Sequence, residues 1–95
     1  MKINLEFQGF PKVSDLVGKK KLELNISGTT VTDVIDELIN RYGKKVRDAF
    51  YDPQGNFDLM IQIALNGKSF ISPEKHNISL SEGDTLVFML LLGGG

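Results

Sequence analysis

Apolar and polar residues alternate in two short stretches near the start of the chain. Ile3, Leu5 and Phe7 occupy every second position within residues 2–7, and the same alternation recurs over residues 21–26. A period of two is typical of a strand that buries one face and exposes the other. The pattern therefore predicts two antiparallel strands, joined by a connection that contains glycine and proline.

The spacing of apolar residues becomes helical after the second strand. One stripe of an amphipathic helix would be formed by Val31, Val34, Ile35, Leu38, Ile39 and Tyr42. Thr30 is placed to cap the N-terminus, and Asp33, three residues later, can complete the cap and favours the helix dipole. Gly43 is placed to end the helix in a left-handed conformation. These signals predict a helix over residues 31–42.

Residues 44–59 carry weaker signals. Val46, Ala49 and Phe50 have the spacing of a single helical turn, and residues 52–56 have the composition of a turn or loop. Together they predict a mostly irregular connection between the helix and the strands that follow.

Strand signals return in the last third of the chain. Alternation over residues 61–65 is followed by Asn66-Gly67, a dipeptide that favours a tight hairpin, and by a short return strand over residues 68–71. Residues 85–92 are a nearly continuous apolar run, which is typical of a central strand of a sheet.

The order of these elements predicts an α+β fold with a mixed sheet of about five strands and one main helix packed on one face. The first and last strands can be parallel central neighbours, because the path between them includes the helix and is long enough for a crossover. This arrangement is the β-grasp, or ubiquitin-like, fold. With 95 residues we expect a single domain over residues 1–92, followed by a flexible tail over residues 93–95.

Composition excludes several classes of function. The chain has no cysteine and one histidine, so a thiolate or multi-histidine metal site and a cysteine nucleophile are excluded. A net charge of −1 argues against a nucleic-acid partner. The longest apolar run, Leu86–Leu92, is far below the ~20 residues that span a membrane, and the N-terminus does not resemble a signal peptide. We expect a soluble cytoplasmic domain.

The C-terminus carries the strongest chemical signal. Gly93, Gly94 and Gly95 follow an apolar strand directly and offer no side chain. A protein whose terminal carboxylate is the reacting group benefits from such a tail, because an activating enzyme must draw that carboxylate through a narrow channel to ATP. The alternative is an inert tail on an interaction domain.

The sequence resembles the MoaD/ThiS family of ubiquitin-like sulfur carriers. The resemblance rests on the opening strand, the helix that begins at Thr30, the Leu65-Asn66-Gly67 hairpin, the segment from Leu80 to Phe88, and the terminal glycines. A glycine–aspartate turn before the final strand, combined with a di-glycine end, is a fairly specific signature. The length of the segment 44–59 favours the MoaD branch over the ThiS branch.

The resemblance implies a carrier rather than an enzyme. It implies that a partner adenylating enzyme uses Mg-ATP to activate the carboxylate of Gly95, that a persulfide converts it to a thiocarboxylate, and that the chain itself holds no cofactor. In the MoaD branch the acceptor is the large subunit of molybdopterin synthase; in the ThiS branch it is thiazole synthase. Relatives that thiolate tRNA or modify lysines leave those functions as alternatives.

The last strand also suggests where partners bind. Alternation places Leu86, Phe88 and Leu90 on one face and the residues between them on the other. One face should pack under the helix, and the other should form an apolar docking surface unless residues 44–59 cover it. The residues expected to contact partners are Phe88, Met89, Leu91 and Leu92.

Other candidate sites are weaker. Lys19–Lys21 are expected to be a solvated loop rather than a nucleic-acid site. Asp52, Asn56 and Asp58 resemble a calcium loop, but the glycine is misplaced and the bidentate glutamate is missing. His76 is expected in a surface loop.

Overall fold

The computed structural model describes residues 1–91 of the chain; the predicted site residues Leu92, Gly93, Gly94 and Gly95 lie outside them. The described residues form these elements in chain order: β1 (Lys2–Gln8), α1 (Pro11–Val17), β2 (Lys21–Asn25), α2 (Val31–Tyr42), α3 (Lys44–Phe50), β3 (Ile61–Leu65), β4 (Ser69–Ile71), a 3-10 turn (Pro73–Lys75) and β5 (Thr85–Leu90).

The strands form one mixed sheet in the order β2-β1-β5-β3-β4. The first and last strands are parallel central neighbours, with Leu5 opposite Leu86 and Phe7 opposite Phe88. The other three strand pairs are antiparallel. The predicted α+β, β-grasp arrangement is therefore confirmed, including the parallel central pair that requires a long crossover.

The hydrophobic core lies between one face of this sheet and the helices. From the sheet, Ile3, Leu5, Phe7, Leu86 and Phe88 are essentially inaccessible to solvent. The helix α2 covers them with its fully buried apolar residues, which are Val31, Val34, Ile35 and Leu38. These side chains are the ones that the two periodicities placed on common faces, so local pattern and packing agree.

The start of α2 is held by a reciprocal cap. The backbone N–H of Asp33 donates to the Thr30 hydroxyl at 3.2 Å, and the backbone N–H of Thr30 donates to the Asp33 carboxylate at 3.0 Å. Hydrogen bonds from the backbone and side chain of Thr30, and from the backbone of Thr29, lower the pKa of Asp33. At the other end, Gly43 has φ +92° but ψ −168°, so the helix ends at the predicted glycine without the predicted left-handed cap.

Two short helices depart from the predicted connections. The link between β1 and β2 contains α1, which starts at Pro11 and ends at Gly18 with φ +88°, and residues 44–50 form two turns rather than one. Helices of seven residues are unstable alone, so tertiary contacts must hold them. The rings of Phe10 and Phe50 meet edge to face at 5.5 Å and join both helices to the core.

The position of α3 decides whether the second sheet face is covered. Phe50 packs edge to face on Phe88, with ring centroids 5.4 Å apart, so α3 lies on the same side of the sheet as α2. The alternative in which residues 44–59 fold over the second face is wrong. We call this second face, on which no helix of residues 1–91 packs, the open face.

Candidate functional site

The central strand β5 leads directly toward the C-terminal glycines. Its last residue is Leu90, and the backbone N–H of Leu91 donates to the Met60 carbonyl at 2.7 Å. Strands on both sides hold β5 over most of its length, since β1 pairs up to Met89 and β3 up to Leu90. Because backbone hydrogen bonds hold both edges of β5, the residues just before the tail are firmly positioned in the sheet.

Phe88 does not belong to a partner surface, and its predicted role is corrected here. The side chain has no solvent exposure and stacks on Phe7 with ring centroids 5.7 Å apart. Phe88 lies two residues after Leu86 in the same strand, so both side chains point to the sheet face that the helices cover, and Leu86 is also fully buried. A partner could reach Phe88 only if the core opened.

Met89 lies on the open face and is half-buried, and its contact with a partner stays a prediction. Its neighbour in the same strand and on the same face is Val87, which pairs with Ala64, and Ala64 in turn pairs with Phe70. We call these residues the open-face surface: Ala64, Phe70, Val87 and Met89. They line a shallow cavity of about 270 Å³ that Gln8 and Lys68 border.

A second group of exposed apolar side chains surrounds the point where β5 ends. Leu59 is 72% exposed, Met60 is 40% exposed and Leu91 is 53% exposed. We call these three residues the tail base. Leu91 is where the sequence placed a partner contact, and its exposure makes it available for one.

The sequence did not predict three further exposed apolar residues, which are Phe70, Leu59 and Met60. Phe70 is 66% exposed and sits in a short strand whose register against β3 places it on the open face. The sequence shows which face of β4 Phe70 occupies, because the Asn66-Gly67 turn fixes the register of the hairpin. It does not show that no helix of residues 1–91 covers that face. Exposed large apolar residues gathered on one face are a recognised mark of interaction sites.

His76 is buried rather than on the surface, which corrects the expectation for it. Its ring lies edge-on to Phe57 with centroids 4.6 Å apart, and its Nε2 has no hydrogen-bond partner. Burial lowers the pKa of His76, and nearby Glu74 opposes that shift. Its backbone carbonyl accepts from the backbone N–H of Thr32 at 3.1 Å, so the residue joins its loop to α2.

The carboxylates of residues 52–58 stabilise turns. Asp52 accepts from the backbone N–H groups of Gln54 and Asn56, both at 2.9 Å, and Asp58 accepts from that of Met60 at 2.9 Å. Within residues 1–91 there is no group of three or more His, Cys, Asp or Glu residues placed to hold a metal ion. No helix in the same residues has the length and apolar character to cross a membrane.

A β-grasp domain whose central strand runs into a glycine terminus, beside an uncovered apolar face, has the architecture of the ubiquitin-like carrier proteins. The sequence profile of the ThiS family matches residues 10–95, and the chain belongs to that family. Proteins of this family are carriers rather than catalysts. No curated protein sequence matches the chain significantly.

Solved structures with the same fold include small archaeal and bacterial proteins. SAMP1 from Haloferax volcanii has a TM-score of 0.78 and 18% identity, with 100% of both chains covered. A Pyrococcus furiosus protein assigned as molybdopterin converting factor subunit 1 has a TM-score of 0.66 and 23% identity, covering 95% of this chain and 97% of that one. CysO from Mycobacterium tuberculosis has a TM-score of 0.68 and 18% identity, covering 93% and 97%.

Proposed function

We propose that this chain is a sulfur carrier whose C-terminal Gly95 is activated by a partner enzyme and that it donates sulfur in molybdopterin biosynthesis in the cytoplasm. The observation that carries the proposal is the ThiS-family match, which extends through the terminal Gly93-Gly94-Gly95 sequence. The chain contains no cysteine, so the terminal carboxylate is the group available to carry sulfur covalently.

The chemistry requires three steps at Gly95. In the first, a carboxylate oxygen attacks the α-phosphorus of ATP, held with Mg²⁺ by the partner enzyme, and pyrophosphate leaves. In the second, the terminal sulfur of a partner persulfide attacks the acyl carbon and AMP leaves. In the third, a thiol attacks the partner's sulfur in the resulting acyl disulfide, so that a new disulfide forms on the partner and the thiocarboxylate leaves. Gly93 and Gly94 would pass through the partner's channel because neither carries a Cβ.

The exposed apolar residues support this role by providing a docking surface next to the reacting end. Met89 of the open-face surface lies two residues before Leu91 of the tail base, so one partner can cover both groups while it holds the tail. Apolar contact at the centre of an interface commonly supplies most of the binding energy. Leu92, between Leu91 and the glycines, is proposed to enter the same groove.

Fewer observations bear on the identity of the sulfur acceptor than on the activation of Gly95. The large subunit of molybdopterin synthase is favoured by the likeness to the Pyrococcus furiosus protein and by the length of the segment 44–59, which contains α3. Sulfur transfer there would regenerate the Gly95 carboxylate, and the chain would act as a co-substrate or small subunit without catalysing the reaction.

The decisive experiment is intact-mass analysis after incubation with a ThiS/MoaD-family adenylating enzyme, Mg-ATP and a persulfide donor. The full-length protein should gain the mass of one sulfur in place of one oxygen. A protein lacking Gly94 and Gly95, which no longer ends in two glycines, should gain nothing and should keep the thermal stability of the full-length chain. No gain in the full-length protein, under conditions that convert an established carrier, would overturn the proposal.

A second candidate function is attachment to lysines of other proteins, and the likeness to SAMP1, a small archaeal modifier protein, favours it. The same adenylate would then be attacked by a lysine amine, forming an isopeptide bond with loss of AMP. Lysine-linked adducts of Gly95 in cell extracts, identified by peptide mass spectrometry, would support this function. Their absence from cells that accumulate the thiocarboxylate would argue for the carrier alone.

A further inference from the structure

Three consecutive lysines lie at the end of the sheet from which the C-terminal tail emerges. Lys19, Lys20 and Lys21 are all exposed, and the Lys20 carbonyl accepts from the backbone N–H of Phe7 at 2.8 Å. Phe7 is in turn opposite Phe88 of β5. The backbone of Lys20 is therefore about two strand spacings, or roughly 10 Å, from Phe88, which lies two residues before the end of β5.

The charge of this lysine run is largely uncompensated. The three ion pairs among residues 1–91 are made by Lys2, Arg41 and Arg47. Glu6 lies opposite Lys21 and lines the same surface depression as Lys19, and nearby Glu23 pairs with Lys2, so the three lysines keep an excess of two positive charges.

On the other side of the tail base the nearby side chain is negatively charged. Asp58 lies there, with its carboxylate bound to the backbone N–H of Met60 at 2.9 Å. The apolar residues around the end of β5 therefore sit between a basic flank on the β2 side and an acidic residue on the β3 side. Such an arrangement can orient a partner as well as attract it.

We propose that the adenylating enzyme, as the partner that receives the C-terminal tail, presents acidic side chains to Lys19 and Lys20. This inference rests on the proposed function and adds the chemistry of the partner surface: an apolar groove that is acidic on the side facing β2. Charges at the rim of an interface act mainly on the rate of encounter and on its salt dependence. The lysine run should thus speed capture of the tail more than it speeds the chemistry.

A nucleic-acid partner is disfavoured by the placement of the aromatic residues. Single-stranded nucleic acid is held by basic residues interleaved with stacking aromatics. On the open face, the exposed aromatic ring is that of Phe70 on β4, at the far edge of the sheet from the lysines of β2. Four strand spacings, roughly 19 Å, separate those two strands.

The test compares two charge reversals of equal size. Lys19→Glu/Lys20→Glu removes the positive pair beside the tail, whereas Lys44→Glu/Lys45→Glu makes the same net change on an exposed pair in the helix layer, at the start of α3. Each variant and the wild-type protein are incubated with the adenylating enzyme that thiocarboxylates the wild-type chain. The value of kcat/KM is measured at about 50 mM and about 500 mM NaCl.

For Lys19→Glu/Lys20→Glu we expect kcat/KM to fall about tenfold at low salt, with kcat unchanged and the difference shrinking at high salt. The Lys44→Glu/Lys45→Glu variant should stay within about twofold of wild type. Thermal melting of both variants confirms that they are folded.

Three results would overturn the inference: equal losses in both variants, no loss in either, or a loss that does not depend on salt. Binding of an RNA oligonucleotide that Lys19→Glu/Lys20→Glu abolishes would overturn it too and assign the lysines to nucleic acid. Failure of the wild-type chain to be converted is a separate result; it would overturn the proposed function and this inference with it.

Discussion

Phe88 and Met89 are neighbours in one strand, yet they belong to two different regions of the molecule. Phe88 is fully buried among aromatic rings under α2 and α3, whereas Met89 is half-buried on the open face beside Phe70. Both side chains are apolar, so hydrophobicity alone does not distinguish them. The comparison teaches that a continuous apolar strand in this protein serves the core on one side and, on the other, the partly exposed surface that we propose as the binding surface.

Shortening Phe88 should produce the largest loss of stability. Phe88→Ala removes a fully buried ring that contacts Phe7 and Phe50, and we expect a loss of about 3–5 kcal/mol in the free energy of unfolding. Denaturant unfolding measures it. Met89→Ala is the matched change on the other face and should cost far less. Equal costs for both would contradict the assignment of the two faces.

Shortening Phe70 should affect partner binding and leave stability nearly unchanged. Its ring is 66% exposed on the open face, so Phe70→Ala should change the free energy of unfolding by no more than about 0.5 kcal/mol. Affinity for the adenylating enzyme should fall about tenfold, which is typical of an aromatic contact in an interface. Leu16→Ala, an exposed apolar residue on α1, is the control and should bind normally. Normal binding of Phe70→Ala would remove Phe70 from the docking surface.

Removing the cap of α2 should weaken the helix layer without touching the open face. Thr30→Ala leaves the backbone N–H of Asp33 without its acceptor, and we expect a loss of about 1 kcal/mol. Thr30→Ser keeps the hydroxyl and should be close to wild type. Binding to the adenylating enzyme, measured by calorimetry, should be the same for all three proteins. A binding defect in Thr30→Ala alone would show that the two regions are coupled.

The smallest expected effect is a pH dependence due to His76. Because burial lowers the pKa of His76 in the folded state, the unfolded chain takes up the proton first as the pH falls through ~6.5. The stability contributed by neutral His76 is complete above that pH and declines below it. Unfolding free energies at about pH 7.5 and about pH 5 should therefore fall more for wild type than for His76→Gln. Parallel losses would show that His76 does not titrate differently on folding.

Much of the fold could be predicted from local pattern. The alternation at Ile3, Leu5 and Phe7 and the helical spacing from Val31 to Tyr42 located the core faces of β1 and α2, because period alone decides which side chains share a face. The short helices α1 and α3 could not be predicted with the same certainty. Their stability comes from contacts such as that between Phe10 and Phe50, which are distant in sequence.

The features of the candidate site can also be divided into those that neighbouring residues set and those that tertiary packing sets. The sequence by itself determined the glycine terminus, the parity of β5 and the resemblance to sulfur carriers, since each depends on residues close together in the chain. Only the tertiary structure decided that Phe88 is core, that His76 is buried and that Phe70 stands beside Met89 on an uncovered face. The physical reason is that coverage of a surface depends on which distant segments pack against it. Within residues 1–91, α3 packs on the same side of the sheet as α2, and no helix packs on the other side.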